Sequence, residues 1–114
     1  MTTTGTEASG TEIDLSTVTF VDDAERAAGV ADVLKSLAHP LRIRIVAVLG
    51  QGPQHVNALA ERLDAKQSII SQQLRILRMR KLVRRTPVNG FAIYELAEPR
   101  LLTLIHCMEN CTVV

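Results

Sequence analysis

From about Asp22 onward, apolar residues recur at spacings of three and four. In DDAERAAGVADVLKSLA, Ala27, Val30, Ala31, Leu34 and Leu37 fall on one side of a helix, with Asp22 and Asp23 placed as N-cap and dipole partners at its start. His39-Pro40 ends this helix, because proline disfavours helical geometry in the residue before it. Pro40 then suits the first turn of a second helix, LRIRIVAVLG, closing at Gly50. A loop over Gln51–Gln54 leads to a short third helix, Val56–Leu63, whose inward positions are Val56, Leu59, Ala60 and Leu63. After the tight connection Asp64-Ala65-Lys66, a fourth helix runs from Gln67 to about Arg80. Its apolar stripe is Ile70, Leu74 and Leu77, flanked by Ile69 and Ile76.

The period then changes. Leu82–Val88 and Phe91–Leu96 read as strands joined by Asn89-Gly90, a strong short hairpin signal. A last helix is predicted from about Pro99 towards Cys111. Residues 1–17, rich in Thr, Ser and Gly without apolar periodicity, predict a disordered tail, so that one domain occupies about residues 21–114 and the tail residues 1–20. The fold class expected is mainly α with a small β-hairpin, in the order α-α-α-α-β-β-α. The third and fourth helices form a helix-turn-helix, and the hairpin behind them a wing.

Composition narrows this picture. The chain is 46 % hydrophobic but only 3 % aromatic, so its core is built from Leu, Ile, Val and Ala. At 114 residues there is room for one domain and none for a large enclosed substrate pocket. No apolar run approaches the ~20 residues of a membrane span, and a soluble cytoplasmic protein without membrane partner is expected. The two cysteines are expected as thiols.

Charge adds more, because it is segregated. Net charge is +1, yet Lys66–Tyr94 carries seven cations (Lys66, Arg75, Arg78, Arg80, Lys81, Arg84, Arg85) and no Asp or Glu. Residues 1–34 hold seven acids against the single Arg26. A helix and hairpin that are positive in this way suit the phosphate surface of double-stranded DNA. On the fourth helix Gln67, Ser68, Ser71, Gln72 and Gln73 are candidates for base edges, glutamine pairing well with adenine. Lys66, Arg84 and Arg85 are candidates for the DNA backbone, with strand alternation sending one of the two arginines towards solvent or DNA and the other sideways. Arg75 and Arg78 are candidates for the backbone or for bridging to neighbouring structure. The rival readings are a solvated helix face and a winged helix used only for protein–protein contact.

The segments LKSLAHPLRIRIVAVL, VNALAERLDAKQSIISQQLRILRMRKLVRR and NGFAIYEL resemble the ArsR/SmtB family of bacterial winged-helix repressors. Leu37, Pro40 and Arg42 match the family's Leu-x-x-Pro-x-Arg motif. Ser68, Ser71, Leu74 and Leu77 match its Ser-x-x-Ser-x-His-Leu-x-x-Leu recognition-helix motif, with Gln73 in place of the histidine. The resemblance spans about residues 25–106. It implies a homodimer formed by the first and last helices, an inverted-repeat operator, and release of DNA by an inducer, commonly a metal ion or metalloid.

For the inducer, Cys107 and Cys111 stand four residues apart on one helix face. Two thiolates so placed can share a soft ion at metal–sulfur distances of about 2.3 Å. Arsenite or antimonite needs two or three thiolates. A thiophilic divalent metal needs four ligands, with His106 or the partner chain completing the set. The family's Cys-x-Cys at the third helix and its second-helix cysteine are both missing here, and of the zinc-ligand positions along the last helix only His106 and Glu109 are candidates. Oxidation of Cys107 and Cys111 is the alternative trigger, and burial as small apolar residues in a dimer seam the plain one. His39 is expected to cap or pack, and His55 to lie at the surface or contact phosphate. No organic cofactor is expected. Catalysis is not expected either, since His106 and Cys107 point about 100° apart on a helix and no phosphate-binding glycine loop or carboxylate pair is present.

Overall fold

A computed structural model of the chain describes residues 15–111. Among them are one 3-10 turn, Leu15–Thr17, then α1 (Ala24–Leu37), α2 (Pro40–Leu49), α3 (Val56–Leu63), α4 (Gln67–Met79), β1 (Val83–Val88), β2 (Phe91–Leu96) and α5 (Arg100–Glu109). The helix and strand order expected from the hydrophobic pattern is the one observed. Most of the expected tail lies outside the described residues. Packing divides the chain inside α1, between Asp32 and Val33. In the first unit Asp23 caps α1, its Oδ1 accepting from the Arg26 N–H at 2.9 Å, and the Arg26 guanidinium lies 5.5 Å from the Phe20 ring centre.

The second unit holds the core. α2 runs through its middle and packs on α3, α4, α5 and β2. Ile45 and Val46 from α2, Leu59 from α3, and Ile70, Leu74 and Leu77 from α4 are fully buried, with Leu82 and Val83 sealing the base of the hairpin. Each such side chain contributes roughly 1.5–3 kcal/mol relative to exposure. His39 starts α2 in an extended conformation, and its Nδ1 accepts from the Leu41 N–H at 3.1 Å. The capping role expected for His39 is therefore observed, with the imidazole in the form that leaves Nδ1 free to accept.

Both helices of the helix-turn-helix end alike. After α3, Asp64 is left-handed (φ 52°), with Asp64 N–H bonding Glu61 O and Ala65 N–H bonding Ala60 O. After α4, Lys81 is left-handed (φ 63°), with Lys81 N–H bonding Arg78 O and Leu82 N–H bonding Leu77 O. These are Schellman closures built without glycine. They fix the turn into α4 and the entry into β1.

β1 and β2 pair antiparallel from Val83↔Leu96 to Val88↔Phe91. Asn89 (φ 51°) and Gly90 (φ 84°) both take the positive φ of a two-residue type I′ turn. The loop expected over Gln51–Gln54 contributes more than a connection: Gln54 and Tyr94 exchange both backbone hydrogen bonds, at 2.9 and 2.7 Å. This bridge ties the start of α3 to β2.

Candidate nucleic-acid interface and thiol pair

α4 buries Ile70, Gln73, Leu74 and Leu77 on one side. Because successive residues turn by about 100°, the opposite side carries Ser68, Gln72 and Arg75, with Gln67, Ser71 and Arg78 on one flank. All six are exposed, as is Lys66, which precedes the helix in an extended conformation and makes no side-chain cap. Without a cap, the first-turn N–H groups and the positive end of the helix dipole are available to an anion. Ser68, Ile69, Ser71, Gln72 and Arg75 line a shallow depression of about 470 Å³ on this side.

Gln73 departs from the expected reading set. It is buried, and its Oε1 accepts from Arg42 Nη1 at 2.9 Å. The Arg42 Nε donates to the carbonyl of Ser36 at the end of α1. Position 73 falls between Ile70 and Leu77 on the core stripe, so its amide faces inward and is spent on the guanidinium. Gln73 is a strut between helices, its amide turned from the exposed face of α4 towards Arg42.

The hairpin projects its cations. In β1 only Val83 is buried, so Arg84 and Arg85 are both exposed. Arg84 Nε lies 3.4 Å from Glu95 Oε2 on the neighbouring strand. That ion pair is solvent-accessible and therefore weak. At the hairpin tip Val88 and Phe91 are exposed apolar residues, and the Phe91 ring lies 6.3 Å from the exposed His55 at the start of α3. The start of α3 and the tip of the wing thus meet through exposed rings.

The thiols lie elsewhere, at the end of α5. Both cysteines are free, Cys107 exposed and Cys111 half-buried. α5 ends at Glu109, and Asn110 and Cys111 follow in a tighter turn, their N–H groups bonding Cys107 O and Met108 O at 3.2 and 3.1 Å. Among the described residues no three of His, Cys, Asp and Glu are grouped to hold a metal. His106 is not brought to the two thiols: it points about 100° away from Cys107 around the helix, and its backbone carbonyl accepts from Asn110 Nδ2 at 2.9 Å. Within one protomer Cys107, Cys111 and His106 are therefore not grouped as a set of three.

α5 begins beside a second local ion pair. The Arg100 guanidinium and backbone N–H both donate to Glu98, holding its carboxyl below the usual range. No described helix is long and apolar enough to cross a membrane.

The arrangement has relatives. The helix-turn-helix profile described as bacterial regulatory protein, arsR family, matches residues 39–85. A biofilm growth-associated repressor of Agrobacterium fabrum is 34 % identical over 96 residues, 84 % of this chain and 82 % of that protein. The HTH-type transcriptional regulator NmtR of Mycobacterium tuberculosis is 37 % identical over 83 residues, 73 % of this chain and 69 % of its own. Among solved structures, the transcriptional repressor BigR from Xylella fastidiosa superposes with a TM-score of 0.74 at 31 % identity, over 83 % of this chain and 99 % of that one. A homodimeric winged helix-turn-helix domain from Mycobacterium bovis superposes with a TM-score of 0.68 at 27 % identity, over 75 % and 80 %. The chain belongs to the ArsR/SmtB family of bacterial transcriptional repressors, whose members are DNA-binding regulators and not enzymes.

Proposed function

We propose that this repressor binds an inverted-repeat operator in the cytoplasm as a homodimer and is released from it when a thiophilic inducer engages Cys107 and Cys111. The observation that carries the DNA-binding part is the exposed surface of α4 and β1, whose own residues include cations and no acid. Gln67, Ser68, Ser71 and Gln72 offer hydrogen bonds to base edges, while Lys66, Arg75, Arg78, Arg84 and Arg85 lie ready for phosphates. Anisotropy titrations of labelled duplex across a range of salt test it. Affinity falls steeply as salt rises if phosphates are neutralised; affinity that ignores salt overturns the reading.

Dimerisation is supported by an apolar groove of about 220 Å³ between the end of α1, α2 and α5, lined by Leu34, Leu37, Ile43, Leu104, Ile105 and Met108. The homodimeric relative from Mycobacterium bovis supports the same assembly.

The inducer reading rests on chemistry: two free thiols four residues apart, Cys107 exposed and Cys111 half-buried. Arsenite or antimonite is the favoured inducer because it is satisfied by two or three thiolates, whereas a divalent metal needs ligands from the partner subunit. The family resemblance, which implies an inducer that is commonly a metal ion or metalloid, points the same way. The operator complex, titrated with arsenite, cadmium, zinc and a thiol oxidant, separates the triggers. Cys107→Ser and Cys111→Ser leave DNA binding intact and abolish release; release retained in both variants eliminates a thiol sensor.

A further inference from the structure

In the first turn of α4 one exposed side chain is left without a task by the reading surface above, while the exposed Met79 lies at the far end of the helix. Ile69 occupies the third position of α4 and is 40 % exposed, while the adjacent Ile70 is 0 % exposed and supplies the core. A β-branched residue lowers helix propensity, so an isoleucine in this exposed first turn is not explained by helix formation. It is the apolar wall of a depression whose remaining lining, Ser68, Ser71, Gln72 and Arg75, is polar.

We propose that Ile69 reads the C5 methyl group of a thymine in each half-site. In the major groove, thymine is the base that presents a methyl group, and apolar side chains recognise it by contact. Isoleucine on a helix holds one χ1 rotamer, so its methyl groups occupy a fixed position relative to the helix axis. Gln72 lies three residues on, one turn along the same side, where its amide can pair with adenine N6 and N7. Ile69 and Gln72 together therefore select a thymine and an adenine on neighbouring base pairs. The inference rests on the DNA-binding function proposed above and assigns to it a residue that hydrogen-bond chemistry alone does not single out.

The test begins with the duplex that the full-length protein enriches from a randomised library. Each thymine of a half-site is then replaced by deoxyuridine, which removes the methyl and leaves base pairing unchanged. At one thymine the wild-type protein loses about fourfold in affinity per half-site, the worth of one buried methyl group. With Ile69→Ala, that substitution has no further effect, while Gln72→Ala keeps the deoxyuridine penalty and relaxes the preference for adenine. Ile69→Val, which retains branched methyls, keeps the penalty in reduced form and controls for folding. If wild type and Ile69→Ala respond equally to every deoxyuridine, or the enriched half-site holds no thymine, the assignment to Ile69 is overturned with DNA binding untouched. If the wild-type protein enriches no duplex, the DNA-binding function falls and this assignment with it.

Discussion

Gln73 accepts a 2.9 Å hydrogen bond from Arg42, across 31 residues of sequence and from the middle of one helix to the start of another. Arg42 at the same time donates to the carbonyl of Ser36. One guanidinium thereby fixes the end of α1 and the inner face of α4 to α2. The bond braces α4 from behind, on the side away from Ser68 and Gln72. Arg42 is half-buried and Gln73 buried, so neither group is easily resatisfied by water.

Gln73→Ala therefore acts through stability. Leaving the guanidinium short of an acceptor costs about 1.5–3 kcal/mol, the range for hydrogen bonds to charged groups. Chemical denaturation of Gln73→Ala, Arg42→Ala and the double variant gives a coupling energy of at least about 0.5 kcal/mol. The base preferences selected by Gln73→Ala remain those of the wild type. A change of preferred base at one position, without loss of stability, would return Gln73 to the reading surface.

The two helix ends that frame α4 offer a gain in stability. Asp64 and Lys81 hold left-handed conformations at about 1–2 kcal/mol each relative to glycine, partly offset because glycine gains more freedom when unfolded. Asp64→Gly is expected to raise the denaturation midpoint by an amount equivalent to about 0.5–1 kcal/mol. Asp64→Val, β-branched at the same φ, lowers it. Equal midpoints for the glycine and valine variants would show that this turn is not held left-handed in solution.

How much of this was legible in the chain depends on how local the cause is. The turn at Asn89-Gly90, the cap at Asp23 and the closure of α3 at Asp64 all follow from residues within five positions of each other, and each was readable. The burial of Gln73 had a local signal: with Ile70, Leu74 and Leu77 it completes the three- and four-residue spacing of a buried face. In the sequence reading its polarity outweighed its position. Arg42 as its partner, and Gln54 as the partner of Tyr94, depend on tertiary packing that periodicity does not encode. The direction of His106 away from the thiols was readable from helix geometry. The apolar stripe of α1 was seen, but periodicity shows an apolar face and not its cover: Leu34 is exposed in the single chain.

The wing arginines separate holding from reading. Arg85→Ala is expected to flatten the dependence of log affinity on log salt by about one per half-site while leaving base preference alone. Glu95→Gln has the opposite sign. It releases Arg84 from its exposed partner and removes a negative charge beside the wing, so DNA binding tightens and becomes more salt-dependent. Its cost in fold stability stays below about 1 kcal/mol, because an exposed pair contributes little. Weaker binding by Glu95→Gln would mean that the ion pair orients Arg84 for its contact.

The apolar groove carries the last expectation. Leu34, Ile43 and Met108 are 49 %, 42 % and 46 % exposed in the single chain, so a charge at any of them is tolerated by the protomer itself. In a dimer seam the same charge loses its water and meets only apolar side chains, a penalty of several kcal/mol. Ile43→Asp should therefore fold with unchanged helical circular dichroism yet sediment as a monomer at concentrations where the wild type is a dimer. Its affinity for a full inverted repeat drops by at least about 10²-fold, because two linked half-site contacts become two separate ones. Its affinity for an isolated half-site stays close to that of the wild type. An Ile43→Asp protein that remains dimeric would place the subunit interface away from α2 and the end of α1.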